Sequence, residues 1–388
     1  MLIGKQITVI GGGIGGLAAA LACARRGASV TVLERSDTIA EVGAGLQVSP
    51  NGWVVLKALG VADAVARAAT RGEAVCLRDF RRGAEVFRMS LREPFHFVHR
   101  ADLIGALHQA AVEAGVKIRL GVHVRGVEAE EHAVRLMLAD GATETHGLTI
   151  AADGLHSAGR AHLNPRSKAF FTGQVAWRAL VPTEAAERLA PEAQVFMGPG
   201  RHLVRYPLRG GTLTNIVAVE ERDAWAVEDW MLTDDPRNLR AAFTDFCPEI
   251  RALLARVEEP NLWGLYRHPV AAQWFNGPLV LLGDAAHPTL PFLAQGANMA
   301  LEDAWVLADC LGVEADVGRA LHRYQALRKP RTARIVEAAN DNATNYHLRP
   351  GPFRFAAHTA LRAAARFAPH AVTNRFNWLY NHDVTRSA

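Results

Sequence analysis

A glycine-rich turn near the start of the chain constrains its fold more than any other feature. The turn reads Gly11-x-Gly13-x-x-Gly16 and separates a β-branched segment, Gln6–Ile10, from an alanine-rich segment that runs to about Arg26. This pattern predicts a strand, a tight turn and a helix in succession. Amide groups at the N-terminus of such a helix attract an anion. We therefore expect this part of the chain to hold a phosphate-bearing ligand.

An acidic residue, Glu34, narrows this expectation to a dinucleotide. It follows a second predicted strand, Ser29–Leu33, and lies about 20 residues after Gly11. A carboxylate at this place can accept hydrogen bonds from the hydroxyl groups of a ribose. An ordinary glycine-rich turn would not account for the acid, so we predict a dinucleotide-binding βαβ unit.

Two further motifs, Asp153-Gly154 and Gly283-Asp284, each follow a short β-rich segment. The first is also typical of a β-turn that leads into a helix N-cap, and this alternative stays open. After the second motif, Gly296 begins a long helical segment, so the backbone amides there can face an anion or a polar ring edge. The region between the two motifs alternates in hydrophobicity and predicts a mostly antiparallel sheet.

Composition excludes several classes of protein. The chain has 388 residues, a length that predicts about two domains. Hydrophobic residues make up 49% and charged residues 21%, which is typical of a globular protein. The net charge of +4 is spread without a basic block, so no nucleic-acid partner is expected. No apolar run approaches the ~18 residues of a membrane span. The four cysteines form no CxxC pair and no signal peptide is evident, which indicates a cytoplasmic protein.

Taken together, the three motifs resemble those of the flavoprotein aromatic hydroxylases, the single-component FAD monooxygenases of the p-hydroxybenzoate and salicylate hydroxylase type. They read GGGIGG, ADGLHSAGR and GDAAHPTLPFLAQGANMALED, in the family's order. Segments 41–47, 98–103 and 176–178 and the pair Tyr206-Pro207 are similar to the salicylate hydroxylase-like subgroup, which includes 3-hydroxybenzoate and 6-hydroxynicotinate hydroxylases. One departure is Ala151, where the family often has glycine.

The resemblance implies an α/β fold, with a Rossmann-like FAD-binding domain, an inserted, mostly antiparallel β-sheet domain for the substrate, and C-terminal helices. We expect the FAD-binding domain to be discontinuous. The predicted boundaries are 1–70, 98–165 and 265–345 for the FAD-binding domain, 71–97 and 166–264 for the substrate-binding sheet domain, and 346–388 for a C-terminal helical segment.

The resemblance also assigns residues to FAD. Gly11, Gly13 and Gly16 would hold the pyrophosphate, with Gly15 and Arg35 included among the binding residues, and Glu34 would hold the adenosine ribose. Arg100 would reach the pyrophosphate or ribityl region, Gln47 the flavin side and Asp284 the ribityl chain. Gly296, Ala297 and Asn298 would present backbone to the pyrimidine edge of the flavin. Asp153 is tied in this family to FAD and NAD(P)H binding together.

The candidate acid–base residues are His202 and Tyr206, four positions apart in a strand-like segment, so a regular strand places them on one face. In related hydroxylases a histidine and a tyrosine with this spacing occur, and the histidine is proposed to take the phenolic proton. A neutral imidazole suits this task near pH 7. A surface histidine with a core tyrosine is the alternative. Gln295 is either a substrate hydrogen-bond partner or a residue of the flavin loop. No cluster has metal-ligand spacing.

The resemblance implies that the enzyme uses NADH or NADPH and O2 to hydroxylate a small aromatic or heteroaromatic substrate, of the phenolic acid or hydroxypyridine type, through a flavin C4a-hydroperoxide. The chain has one Rossmann fingerprint only, which favours transient docking of NAD(P)H. The alternatives are a hydroxylase of the ubiquinone-pathway type, a flavin-dependent dehydrogenase and a non-catalytic FAD module. The sequence leaves both a monomer and a homodimer open.

Overall fold

The structure is a computed structural model that describes residues 1–39, 44–222, 232–349, 351–367 and 374–386. Residues 41–43, the first part of the segment 41–47, lie outside the described residues.

The strands are numbered in chain order. They are β1 (Gln6–Ile10), β2 (Ser29–Leu33), β3 (Gly45–Val48), β4 (Thr70–Arg71), β5 (Ala74–Asp79), β6 (Glu85–Ser90), β7 (His96–His99), β8 (Lys117–Arg119), β9 (Val124–Ala129), β10 (Val134–Leu138), β11 (Thr143–His146), β12 (Leu148–Ala151), β13 (Phe170–Pro182), β14 (Glu192–Gly198), β15 (Arg201–Leu208), β16 (Leu213–Glu221), β17 (Asn261–Arg267), β18 (Phe275–Asn276) and β19 (Leu279–Leu281).

The helices are numbered in the same way. They are α1 (Ile14–Ala24), α2 (Pro50–Ala58), α3 (Ala62–Ala68), α4 (Arg100–Glu113), α5 (Ala158–Leu163), α6 (Pro236–Ala242), α7 (Pro248–Ala255), α8 (Gly296–Val313), α9 (Val317–Tyr346), α10 (Pro352–Phe367) and α11 (Asn377–Tyr380). Short 3₁₀ turns at Gly283–Ala285 and Pro291–Leu293 lie between β19 and α8.

Two large sheets organise the fold. The first has the order β18-β19-β12-β1-β2-β8, parallel except for its β18 edge. The second has the order β17-β13-β16-β15-β14-β5-β6 and is antiparallel except between β14 and β5. Two three-stranded sheets, β11-β10-β9 and β3-β7-β4, complete the strand layers. The mixed α/β fold with a mostly antiparallel second sheet is therefore confirmed.

Packing explains why the N-terminal unit forms as it does. The alanines and leucines of α1, from Leu17 to Ala22, are fully buried against the parallel sheet, α4 and α8. Strands β1 and β2 have the bounds that the sequence predicts. Helix α1 ends at Ala24, slightly before the predicted Arg26, because Gly27 takes a left-handed φ of 97° and turns the chain toward β2.

The strands of the two large sheets come from different parts of the chain. Those of the parallel sheet lie within the segments assigned to the FAD-binding domain, and those of the antiparallel sheet lie within 74–90 and 170–267. This distribution supports the discontinuous division into domains, which remains a prediction.

Candidate active site

The three sequence motifs meet at the carboxyl edge of the parallel sheet. Strands β1, β2, β12 and β19 run in one direction and end side by side. Gly11 follows β1, Glu34 follows β2, Asp153 lies shortly after β12 and Asp284 shortly after β19. This is the edge at which open α/β sheets bind their ligands.

Two glycines of the turn leave no room for a side chain, whereas a third faces open space. Gly11 has a φ of 100°, and a Cβ there would lie 2.5 Å from the carbonyl oxygen of Ala152. A Cβ on Gly16 would overlap the carbonyl oxygen of Gly11. No atom lies within 4 Å of a Cβ placed on Gly13, the N-cap of α1. The open position lets a pyrophosphate approach the N-terminus of α1.

The carboxylate of Glu34 is held by two backbone amides. Gly12 N donates to Oε2 at 2.6 Å, and Ser36 N donates to Oε1 at 2.9 Å. These bonds fix the acid beside the glycine turn, where it can meet a ribose. Arg35 is exposed at the same edge, and Gly15 lies where α1 packs against α8.

The Asp153-Gly154 turn does contain a helix cap. Ser157 caps α5, and Asp153 Oδ2 accepts a hydrogen bond from Ala158 N at 2.8 Å. Burial raises the pKa of Asp153, although hydrogen bonds from Ser157 and the backbone oppose the rise. Its other oxygen, Oδ1, is buried and meets no donor among the described residues. A buried carboxylate oxygen without a donor fits a site that a polar ligand completes.

Arg160, the last residue of the second motif, fastens that motif to the third. Its side chain is buried, and Nη1 donates to the carbonyl oxygens of Ala285 and Ala286 at 3.1 Å each. Nη2 donates to Ser167 Oγ at 3.0 Å and to the carbonyl oxygen of Pro269. The arginine therefore positions the loop that carries Gly283-Asp284.

Buried charges hold this loop from the other side. Asp303 Oδ2 accepts a hydrogen bond from Gly283 N at 3.1 Å and lies 2.5 Å from His287 Nε2. Its Oδ1 accepts from Arg328 Nε at 2.7 Å. Burial opposes ionisation, but His287 and Arg328 lower the pKa of Asp303 to about 2. These contacts make His287 a structural residue of the loop.

Asp284 is the exposed carboxylate of the loop. A Cβ placed on Gly296 would lie 4.0 Å from its Oδ1, so Asp284 stands beside the N-terminus of α8. Arg100 begins α4; burial lowers its pKa, and the charge of Asp284 opposes that shift. Asp284 and Arg100 therefore flank the same part of the sheet edge.

The first turn of α8 contributes backbone amides and a clamp. Gly296, Ala297 and Asn298 form this turn, whose N–H groups have no acceptor within the helix. The side chain of Asn298 donates from Nδ2 to the carbonyl oxygen of Gln47 at 3.0 Å and accepts at Oδ1 from Ser49 N at 3.1 Å. The clamp holds the end of β3, with Gln47, against the helix N-terminus.

Gln295 lies in a buried polar network just before α8. Its Nε2 donates to Ser49 Oγ at 3.0 Å, and its Oε1 accepts from Asn51 Nδ2 at 3.1 Å. Asn51 Nδ2 also donates to Glu302 at 2.7 Å. These contacts favour a role in positioning the loop, and the catalytic role of Gln295 stays a prediction.

One face of the antiparallel sheet carries the polar side chains of His202, Tyr206, Arg178 and Asn215 near this edge. His202, Val204 and Tyr206 alternate along β15 and share a face. Val204 is paired through Val217 of β16 with Arg178 of β13, so Arg178 lies on that face too. The interstrand and residue spacings place Arg178 about 10 Å from Val204, and His202 and Tyr206 about 13 Å apart. His202, Tyr206 and Arg178 border an apolar patch that contains Val204 and Val217.

The same face meets the loop between β19 and α8. Ala176, Val219 and Trp263 of the sheet share an apolar cluster with Leu290 and Phe292 of the loop. This face of the sheet therefore packs against the loop that follows Asp284.

His202 is buried, and its Nδ1 lies 2.6 Å from Nε2 of His347. Its ring centroid is 5.5 Å from that of Phe292 and 5.2 Å from that of Tyr346. Burial, and then the charge of His347, lower the pKa of His202 well below its usual value. The imidazole is therefore neutral at pH 7, the state that a general base requires.

Tyr206 and Arg178 border the patch away from His202, and the Tyr206 ring lies beside Gly45 of β3. Tyr206 is buried, with its ring centroid 5.1 Å from that of Phe97, and burial raises its pKa although Arg178 opposes the rise. The guanidinium of Arg178 lies 4.6 Å from the ring centroid of Trp263. Burial lowers the pKa of Arg178 to about 10, with Tyr206 opposing and Arg100 adding to the shift. Arg178 is therefore a cation at neutral pH.

The structure adds residues that the sequence analysis did not select. His347 and Glu221 contact the site through His202, and Arg160 positions the loop. His347 lies beyond the motifs, and Glu221 is one of many acids, so neither had a sequence signal. Arg160 belonged to a motif, which was the available signal.

Comparison with known proteins agrees with this architecture. The family model described as "FAD binding domain" matches residues 5–339. The 3-amino-4-hydroxybenzoate 2-monooxygenase of Streptomyces platensis is 36% identical and aligns over 98% of this chain and 96% of its own. The 3-hydroxybenzoate 6-hydroxylase of Polaromonas naphthalenivorans is 34% identical, over 97% of this chain and 96% of its own.

Solved structures show the same fold. A salicylate hydroxylase substrate complex superposes with a TM-score of 0.83 at 26% identity, covering 98% of this chain and 96% of the other. HpxO of Klebsiella pneumoniae, complexed with FAD and uric acid, gives 0.82 at 27% identity, covering 93% and 94%.

The chain therefore belongs to the FAD-binding-domain family of flavoproteins. Within that family it is an FAD-dependent monooxygenase of the aromatic hydroxylase group, similar to the salicylate and hydroxybenzoate hydroxylases. In the part of the chain that the structure describes, no helix combines the length and the apolarity needed to cross a bilayer.

Four features of this edge fit FAD: the open turn at Gly13, Glu34 held by backbone amides, the Asp153 oxygen that meets no donor among the described residues, and Asp284 beside Arg100.

Gly16 offers a direct test of the cofactor site. We expect Gly16→Ala to lose bound FAD, because the added Cβ would collide with the backbone of Gly11. The ratio of flavin to protein absorbance measures the loss.

Gly105→Ala is the matched control, since a Cβ there meets nothing within 4 Å and α4 gains about 1 kcal/mol of helix propensity. Full flavin occupancy in Gly16→Ala would contradict the packing argument.

Proposed function

We propose that this enzyme uses NADH or NADPH and O2 to hydroxylate a small aromatic acid that carries a ring hydroxyl. The observation that carries the proposal is the apolar patch bordered by a neutral His202 and a cationic Arg178, facing the loop of the FAD edge. Bound FAD, once reduced, would supply the activation of O2. The protein's own residues would bind and orient the ring and remove its phenolic proton.

The relatives support this substrate class. Their names give 3-amino-4-hydroxybenzoate, 3-hydroxybenzoate, 6-hydroxynicotinate and salicylate as the compounds acted on. Each is an aromatic ring with a carboxylate and a hydroxyl group. In our proposal Arg178 pairs with the carboxylate, because a partly buried guanidinium is well suited to bind one.

His202 is proposed as the general base. A phenolate donates electron density to its ring far better than a phenol does, so removal of the proton activates the ring for attack by an electrophilic oxygen. The low pKa of His202 keeps its imidazole unprotonated and ready at neutral pH. Tyr206 would border the ring as a neutral phenol, since its raised pKa keeps its proton in place.

The FAD roles stay as the sequence assigned them, as proposals. Gly11, Gly13 and Gly16 with the N-terminus of α1 would hold the pyrophosphate, and Glu34 the adenosine ribose. Around the flavin we place Gln47, Arg100 and Asp284 with the first turn of α8. The four cysteines are unpaired, which supports a proposed cytoplasmic location.

The test combines turnover with product analysis. The FAD-loaded enzyme is mixed with NADH or NADPH in air, and 3-amino-4-hydroxybenzoate, 3-hydroxybenzoate, salicylate and 6-hydroxynicotinate are added one at a time. We expect at least one acid to accelerate NAD(P)H oxidation and to yield a hydroxylated product. Acceleration with hydrogen peroxide as the only product would identify an effector, and no acceleration by any acid would contradict the proposed function.

Removing the carboxylate of Glu34 tests the proposed cofactor contact without turnover. We expect Glu34→Ala to weaken FAD binding about 10- to 100-fold, because the variant loses hydrogen bonds to a charged group. Reconstitution of the apoprotein, followed by quenching of flavin fluorescence, measures the Kd. Asp37→Ala removes an exposed acid from the same loop and should bind FAD normally; equal affinities in both variants would exclude Glu34 from the site.

A further inference from the structure

A line of three side chains connects His202 to the protein surface. His202 Nδ1 lies 2.6 Å from His347 Nε2, and His347 Nδ1 lies 2.8 Å from Glu221 Oε1. Both histidines are buried, whereas the side chain of Glu221 is 45% exposed. The line therefore begins at a buried side chain beside the apolar patch and ends in contact with solvent.

The outer end opens into a surface cavity. Glu221 helps to line a depression of about 330 Å³, together with Pro199, Gly200, Arg201, Glu220 and Arg349. A cavity of this volume holds several water molecules. Protons that reach Glu221 can therefore pass to water there.

Among the described residues, the surroundings of the two rings offer one route for a proton. His202 is faced by Phe292 from the loop and by Val219 and Met197 across the strand pairs. It is also faced by Tyr346, the last residue of α9, and by His347, which follows it. Burial raises the pKa of Tyr346 to about 12, so this phenol keeps its proton.

In the described part of the chain, the His347 ring has Gln174 as a polar neighbour besides His202 and Glu221. Gln174 Nε2 lies 3.4 Å from His347 Nδ1, farther than Glu221 Oε1, and an amide does not carry a titrating proton. Burial lowers the pKa of His347 although Glu221 opposes the shift, so this ring is neutral at pH 7.

We propose that His202, His347 and Glu221 form a relay that carries the phenolic proton of the substrate from the apolar patch to the surface cavity. This inference rests on the proposed function of His202. His347 and Glu221 act on the substrate only through His202 and are positioning residues.

The relay balances as a sequence of proton shifts. The substrate O–H bond breaks as an N–H bond forms at Nε2 of His202, and the Nδ1 proton of His202 moves to Nε2 of His347. The Nδ1 proton of His347 then moves to Glu221 Oε1 and on to water. No charge stays on either buried ring. Reverse movement returns a proton to the phenolate product and restores both tautomers.

The relay predicts how fast protons leave when a substrate binds. The FAD-loaded enzyme is mixed with 3-amino-4-hydroxybenzoate or 3-hydroxybenzoate in weak buffer, and a pH-indicator dye follows proton release by stopped flow. We expect Glu221→Gln and His347→Gln to slow the release about 10-fold or more, with the Kd of the acid unchanged; the effect is smaller than the ~10²-fold expected for loss of the base itself, because His202 remains. Imidazole added to Glu221→Gln should restore the rate.

Glu220→Gln is the matched control, because it removes the same charge from the same cavity while its carboxylate binds Arg222 instead of His347. Release at the wild-type rate in both relay variants overturns the proposal. A loss of affinity with no change in release rate also overturns it, in favour of a packing role. These results are distinct from failure of the proposed function, in which neither acid is hydroxylated by the wild-type enzyme.

A second measurement needs no substrate. In enzyme labelled with ¹⁵N-histidine, the relay requires both His202 and His347 to carry their protons on Nδ1, in hydrogen bonds to His347 and Glu221. The Glu221→Gln variant should alter the ring signals of both histidines, and Glu220→Gln should alter neither. A proton on Nε2 of His202 in the substrate-free enzyme overturns the relay, whichever aromatic acid the enzyme accepts.

Discussion

Replacing His202 by glutamine is expected to reduce hydroxylation about 10²- to 10⁴-fold, the usual contribution of a positioned general base. Glutamine can still form a hydrogen bond with His347 but cannot accept the phenolic proton. Reduction of bound FAD by NAD(P)H should continue, because it does not use that proton. The measurement is the rate of product formation beside the rate of anaerobic flavin reduction.

The pH dependence separates loss of the base from loss of structure. The deficit of His202→Gln should be largest below the phenolic pKa of the substrate and should shrink above it, where the substrate ionises unaided. Because burial lowers the pKa of His202, the acid limb of the wild-type profile should lie below about pH 6.5. His358→Gln, a change at another buried histidine, on α10, serves as the control. A uniform deficit at all pH values would remove His202 from the mechanism.

Replacing Arg328 by methionine is expected to destabilise the protein by about 3–5 kcal/mol, the usual result of removing one partner from a buried ion pair. Arg328 is 1% exposed, with Nη1 2.7 Å from Glu302 and Nε 2.7 Å from Asp303. Both carboxylates are completely buried, and each would lose a counter-charge, although Glu302 would keep Arg331 and Asp303 would keep His287. Urea unfolding of the FAD-loaded protein measures the loss, followed by fluorescence.

The control for this change lies on the same helix. Arg319→Met removes an exposed arginine that is 3.8 Å from Glu314, and should cost at most about 1 kcal/mol. A comparably small loss for Arg328→Met would show that the buried network contributes little.

Acid should diminish the effect of Arg328→Met. The pKa of Asp303 is about 2 in the folded state, below its ordinary value of 3.8. Its ion pairs therefore stabilise the fold fully at pH values above 3.8. That contribution is lost as the pH falls from 3.8 toward 2. The difference in stability between the wild type and Arg328→Met should therefore narrow over this range.

The cofactor edge could be predicted closely because its signals are local. The turn at Gly11 and the acid at Glu34 are tied to two adjacent strands, and the backbone geometry of a βαβ unit leaves few alternatives to glycine. The strand bounds of β1 and β2 were predicted to the residue for the same reason. Three motifs at strand ends then predicted one common edge.

The substrate side was predicted less completely, since its residues come together through sheet register. His202 and Tyr206 share a strand, and their alternation was readable. Arg178 reaches the same face through two strand pairings, and Gln295 turns out to bind Ser49 and Asn51 in a buried network. None of these contacts leaves a signal in the spacing of residues along the chain.

By itself the sequence determined the class of fold, because the βαβ unit depends on short-range backbone geometry, and the resemblance of its motifs indicated the aromatic hydroxylase family. Only the tertiary structure decided what surrounds His202. His347 is 145 positions away in sequence, and its ring is brought to His202 by the packing of the segment after α9 against β15. Burial then sets the charge state of both rings, and burial is a property of the assembled fold.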